Sequence, residues 1–160
     1  MPTRETPDAH VELRFKPEWP YILCVRKFLS SFFLIEVSRR DVAGRIAMAA
    51  SELLENAIKY CSAEDRLLRI AVSRYGDAID LVVENPVDPG QIDILRREFA
   101  QIESAAPDEI YLRRMHEAAQ TGAQGRLGLA RIRYAAGARL SMEAGEGTVA
   151  IHAMFSVKEV

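Results

Sequence analysis

The stretch SELLENAIKY (residues 51–60) decides the fold that we expect for this chain. Taken as a helix, it places Glu52, Asn56 and Lys59 on one side, because residues three and four apart lie over each other. Apolar residues occupy the other sides, so the pattern predicts a largely buried helix with one narrow polar stripe. A carboxylate can accept a proton, an amide oxygen can ligate a hard cation and an ammonium group can contact phosphate. The solvated face of an ordinary amphipathic helix would show the same stripe.

The composition is that of a single soluble domain. The chain has 160 residues, of which 49% are hydrophobic and 28% charged, values that are ordinary for globular proteins. A net charge of −2 gives no support for a nucleic-acid partner. Cys24 and Cys61 have no metal-ligand spacing, which favours reduced thiols and a cytoplasmic location. We see no signal peptide and no uncharged apolar run long enough for a membrane span.

Hydrophobic periodicity predicts alternating groups of strands and helices. The predicted strands are 10–15, 66–73, 78–83, 139–143 and 148–157, and the predicted helices are 20–39, 41–61, 92–102, a short one after Pro107, and 127–136. This order predicts an α/β fold, a two-layer sandwich with helices packed on one face of a mixed, mostly antiparallel sheet. We expect residues 1–9 to form a disordered tail and residues 10–160 a single domain. Within it, residues 88–124 would form a mobile, lid-like segment.

The SELLENAIKY stretch resembles the asparagine box of the Bergerat-fold ATP-binding domains, which are shared by gyrase B, histidine kinases and the anti-sigma-factor serine kinases. The resemblance covers residues 10–157. It implies that Asn56 holds Mg²⁺, that Lys59 contacts phosphate and that Tyr60 lies beside the adenine of ATP. Glu52 matches the general-base position of the serine kinases in this group.

Two later segments resemble other boxes of the same family. The first is GRLGL, at the start of a predicted helix, where backbone N–H groups can receive phosphate oxygens; the resemblance assigns nucleotide binding to Gly125, Arg126, Gly128 and Leu129. The family has glycine where Arg126 stands, so this box is partial, but the Arg126 side chain could reach a terminal phosphate. The second is GEGT, whose Thr148 would support the adenine pocket.

The loop after the third predicted strand departs from the family pattern. The family has an aspartate that recognises adenine, followed by two spaced glycines, whereas this chain reads ENPVDPG (residues 84–90). Asn85 stands at the aspartate position, and Pro86 stiffens a segment that is flexible in the family. We therefore expect an altered adenine site with weakened binding.

Two functions from different classes follow from these observations. The resemblance implies an ATP- and Mg²⁺-dependent serine/threonine kinase of bacterial signalling, acting on a STAS-type antagonist or a sigma factor-like partner, and a homodimer is compatible with it. The alternative is a non-catalytic module of the same fold with a degenerate pocket, which regulates by docking. A nucleotide hydrolase of the gyrase kind fits less well, because those proteins carry an additional transducer domain.

Overall fold

The computed structural model describes residues 6–61, 66–121 and 127–158. The strands are β1 (Ala9–Phe15), β2 (Leu68–Tyr75), β3 (Ala78–Pro86), β4 (Arg139–Ala144) and β5 (Thr148–Ser156), and the helices are α1 (Pro20–Val37), α2 (Arg40–Tyr60), α3 (Pro89–Ile102), α4 (Pro107–Thr121) and α5 (Leu127–Ala135). Each predicted element is present within a few residues of its predicted bounds. Residues 1–5 of the predicted tail lie outside the described part of the chain.

The strands form one open sheet in the order β1-β2-β3-β5-β4. Each pairing between described strands is antiparallel, so the sheet contains no parallel pair in these residues. One row of directly paired residues crosses all five strands: Val11, Val72, Leu81, Ala153 and Leu140. Because side chains alternate between the faces of a sheet, this apolar row fixes the face that is covered by helices.

The helices cover that face, which confirms the predicted two-layer α/β sandwich. Helix α1 begins with a proline, whose fixed φ suits the first turn, and it packs mainly on α2. Helix α2 also contacts α5, β3 and β5, which explains why it is apolar on most sides. The polar stripe of α2 faces the space between α2 and α5.

Asp41 lies at the start of α2 but does not cap the helix. The helix begins at Arg40, and the capping position is held by Arg39 without a side-chain cap. Asp41 lies within the first turn, where its carboxylate favours the positive end of the helix dipole and forms ion pairs with Arg39 and Arg45.

The described part of the segment 88–124 forms two helices, α3 and α4, with apolar residues in the core. Arg114 of α4 is buried and joins them: its guanidinium lies 3.3 Å from the Glu98 carboxylate and donates to Gln101 at 2.8 Å. Helix α4 also packs on α5. The mobility predicted for this segment stays a prediction.

Candidate functional site

The polar stripe of α2 faces a cavity of about 270 Å³ between α2 and the start of α5. Its lining consists of Glu52, Glu55, Asn56 and Lys59 from α2, Leu127, Gly128 and Arg131 from α5, and Trp19. Glu52 and Asn56 are partly buried, whereas Glu55 and Lys59 are exposed at the rim. Three of the site residues expected from the sequence, Glu52, Asn56 and Lys59, therefore lie together with Gly128.

An ion pair closes the inner side of this cavity. Arg131 of α5 donates a hydrogen bond from Nη1 to Oε1 of Glu52. The Glu52 side chain is only 13% exposed and that of Arg131 38%, so the pair is shielded more than a surface salt bridge. Burial acts against the guanidinium charge, but contacts with Tyr111 and Glu52 outweigh burial and raise the pKa of Arg131. The arginine is therefore a permanent cation beside the candidate base.

Gly128 lies close to the other oxygen of the same carboxylate. A Cβ atom built at position 128 would lie 2.8 Å from Oε2 of Glu52, closer than nonbonded atoms normally approach. Any side chain at position 128 would therefore require the Glu52 carboxylate to shift. Because Glu52 is also held by Arg131, the carboxylate is positioned from both sides.

Glu55 supplies the second carboxylate of the cavity, and its pKa is shifted. Partial burial, and then the neighbouring charge of Glu52, raise the pKa of Glu55. Two carboxylates and one amide oxygen on a single helix face are donors that a hard cation accepts. Within the described residues, no group of three or more His, Cys, Asp or Glu side chains is arranged to hold a metal by itself. A cation here would need further oxygens from water or from a ligand.

The other predicted site residues lie in a different place. Asn85 is 3% exposed, and its Nδ2 donates to the carbonyl oxygen of Pro86 at 3.1 Å. Thr148 is the partner of Pro86 across β3 and β5. Tyr60 packs against a small apolar cluster, which consists of Val87, Ile92, Leu95 and Val149. In the described structure Tyr60, Asn85 and Thr148 are thus not part of the lining of the Glu52 cavity.

The remaining predicted residues belong to the glycine-rich segment. Gly125 and Arg126 lie outside the described residues. Leu129 is described and buried, at 5% exposure, in the main hydrophobic core. Its side chain packs inside the protein, so only its backbone could contribute to a ligand at the start of α5.

Sequence reasoning missed Arg131, Glu55 and Tyr111. One signal could have identified Arg131: it lies three residues after Gly128, and residues at this spacing share one face of a helix. Glu55 lies three residues after Glu52 in the same way. Tyr111 had no comparable signal, because it reaches the site through the packing of α4 on α5. Trp19, which directly precedes α1, also lines the cavity.

The sequence matches no protein-family model and no curated protein. The fold is similar to that of a chain in the crystal structure of the SiaB–SiaC complex from Pseudomonas aeruginosa, with a TM-score of 0.63. The match covers 89% of this chain and 88% of that chain at 19% sequence identity. At this identity the similarity shows a related fold and nothing about residue roles. Among the helices that the structure describes, we find none with the length and hydrophobicity of a membrane span.

Proposed function

We propose that this chain is an ATP-binding regulatory protein of bacterial signalling that phosphorylates a hydroxyl group on a protein partner. The observation that carries the proposal is the cavity in which the Glu52 carboxylate, the Asn56 amide and the Lys59 ammonium meet the start of α5. These groups suit a proton acceptor, a metal ligand and a phosphate contact. The related fold in a complex of two proteins supports a protein as the partner, and the family resemblance favours one of the STAS type.

The residues of the cavity fit the metal and phosphate part of ATP. Mg²⁺ is commonly bound by one or two carboxylates together with phosphate oxygens and waters, and the cavity offers the Glu52 and Glu55 carboxylates and the Asn56 amide. Asn56 would supply an oxygen to Mg²⁺, and Lys59 would contact the phosphates. ATP would supply the phosphoryl group, and Glu52 would accept the proton of the substrate hydroxyl.

The residues expected around adenine fit less well. The Asn85 amide is buried and bonded to the backbone of its own loop, and the apolar cluster formed by Val87, Ile92, Leu95 and Val149 fills the space beside Tyr60. A cavity of about 270 Å³ is also slightly below the range of roughly 300–1,000 Å³ that is usual for organic ligands. Adenine would therefore have to bind at the open rim or displace part of this cluster.

This misfit favours a second function, in which the chain regulates a partner by docking and does not transfer phosphate. In that case the Glu52–Arg131 pair would serve as an internal link between α2 and α5. The partner surface would then be unaffected by changes inside the cavity, which makes the two functions separable by experiment.

The decisive experiment is a thermal unfolding titration with ATP and Mg²⁺. A ligand that binds only the folded state adds about 2.7 kcal/mol of stability at 100 times its dissociation constant, which corresponds to a rise in Tm of roughly 5–10 °C for a domain of this size. We expect this rise in wild type and its loss in Asn56→Ala, while Lys27→Ala, an exposed change on α1, serves as the matched control. Absence of a rise at millimolar ATP in wild type would leave only the docking function.

Catalysis requires a second measurement, namely transfer of labelled phosphate from ATP to a purified STAS-type protein. Glu52→Gln should slow the transfer by about 10²- to 10⁴-fold, the usual contribution of a positioned base, while ATP still raises the Tm. Equal transfer rates in Glu52→Gln and wild type would remove Glu52 from the catalytic role. If Asn56→Ala neither binds ATP nor transfers phosphate but still binds the partner, docking and catalysis are separate properties of the chain.

A further inference from the structure

A second and larger cleft opens at the other end of α5. It has a volume of about 640 Å³ and lies where α5, the start of β4 and the end of β5 meet the connection between α3 and α4. This volume is within the range of roughly 300–1,000 Å³ that is typical of sites for small organic ligands. Nothing in the proposed function uses this cleft.

The cleft contains an arginine with an unsatisfied donor. Arg133 lines it, and its Nη1 atom is buried without a hydrogen-bond partner in the described part of the chain. Buried donors of charged groups are nearly always paired, because leaving one unpaired forfeits its hydration. A guanidinium presents its N–H groups as a planar fork that matches a carboxylate or a phosphate. Arg133 is therefore the group of this cleft that favours an anionic ligand.

The charges and the remaining lining narrow the class of anion. Arg133 and Arg139 contribute two positive charges against the single carboxylate of Glu103, so the described lining has a net charge of +1. Leu140 and Phe155 are 7% and 6% exposed and form an apolar wall. A ligand that contacts both the arginines and the apolar wall carries an anionic group joined to an apolar body.

This cleft is distinct from the cavity around Glu52. Arg131 and Arg133 are two residues apart on α5, and residues at that spacing point to different sides of a helix. Arg131 points to α2 and pairs with Glu52, whereas Arg133 lines the cleft beside β4 and β5. Each arginine therefore belongs to one site only: Arg131 to the Glu52 cavity and Arg133 to the cleft.

We propose that the cleft at Arg133 is a binding site for a small organic carboxylate with an apolar body. The carboxylate would accept from Arg133, and the apolar body would lie against Leu140 and Phe155. Arg139, at the exposed start of β4, would add attraction for the negative charge without being enclosed.

The test uses 4-phenylbutyrate as the probe and the methyl NMR signal of Met154, which lines the cleft and is 46% exposed, as the reporter. A ligand of this size should bind with a dissociation constant on the order of 1 mM. We expect Arg133→Gln to weaken binding by about 10-fold or more, whereas Arg97→Gln, an exposed arginine on α3, should leave it unchanged. Met154→Glu, which places a carboxylate in the cleft, should weaken it as well, as followed by calorimetry.

Two further probes separate the contribution of the negative charge to binding from the contribution of the apolar body. The neutral 4-phenylbutyramide should not bind measurably, and inorganic phosphate should bind more weakly than 4-phenylbutyrate because it cannot use the apolar wall. Equal binding of phosphate and 4-phenylbutyrate would overturn the assigned ligand class. Equal binding of 4-phenylbutyrate by wild type and Arg133→Gln, or no binding at about 10 mM, would overturn the site itself.

Discussion

Replacing Gly128 by alanine tests the close contact between α5 and Glu52. The new Cβ would lie 2.8 Å from Oε2 of Glu52, so the carboxylate must turn away. Turning the carboxylate costs free energy, because its other oxygen accepts a hydrogen bond from Arg131. Losing this charge-assisted hydrogen bond in a partly exposed pair costs about 1–2 kcal/mol, whereas the better helix propensity of alanine returns about 0.5–1 kcal/mol. We expect a net loss of roughly 0–1.5 kcal/mol.

A double-mutant cycle makes this expectation specific. In the Glu52→Ala background the obstructing carboxylate is gone, so Gly128→Ala should stabilise the protein by about 0.5–1 kcal/mol. Gly44→Ala is the matched control: this helical glycine has no atom within 4 Å of a built Cβ, and the change should stabilise both backgrounds equally. Urea unfolding at equilibrium measures all of these free energies. If Gly128→Ala stabilises wild type as much as Gly44→Ala does, the proposed contact with Glu52 is wrong.

Three further changes test other parts of the structure. Asn85→Asp should lower the free energy of unfolding by about 1–3 kcal/mol in urea, since it buries a carboxylate next to the carbonyl oxygen that now accepts from the amide; unchanged stability would contradict the buried position. Arg114→Met should cost about 3 kcal/mol because it leaves Glu98 shielded and unpaired, and a loss below 0.5 kcal/mol would count against that pair. The hydrogen bond with Asp80 raises the pKa of His152, so the pair stabilises the protein below about pH 6.5 and loses this effect as pH rises through the raised pKa. The advantage of wild type over Asp80→Asn should then be larger at about pH 5.5 than at about pH 8.5.

The sequence was sufficient for the architecture because the apolar periodicity of each element is strong. The alternating apolar residues of β2 and the nearly continuous apolar run of β3 predicted two strands, and the nearly all-round apolar surface of α2 predicted a largely buried helix. The antiparallel pairing throughout the described sheet was harder to predict from the sequence, because pairing direction depends on how distant strands meet. The neighbour relation of β3 and β5, for example, spans residues more than sixty positions apart.

The candidate site was predictable where it lies on one helix and unpredictable where it depends on packing. Glu52, Asn56 and Lys59 share a face through the helical repeat alone, and they line one cavity. Arg131 reaches Glu52 only because α5 packs on α2, which local spacing does not encode. The expectation that Asn85 takes the place of the adenine-recognising aspartate treated residue 85 as a loop residue facing a ligand. Its burial, and the bond from its amide to the backbone, make loss of stability the expected result of Asn85→Asp.

The ion pair between Glu52 and Arg131 is the physical point at which the two proposed functions differ. The charged groups of the described lining balance, with Glu52 and Glu55 against Lys59 and Arg131, so the cavity has no excess positive charge for a triphosphate. A divalent cation that draws Glu52 and Asn56 toward itself would weaken the hold of Glu52 on Arg131, and the released guanidinium could then meet a phosphate oxygen. In a kinase, Mg²⁺ and ATP would therefore bind cooperatively, because each would favour the state in which the pair is open. In a docking module nothing enters to open it, and the same pair would hold α5 on α2.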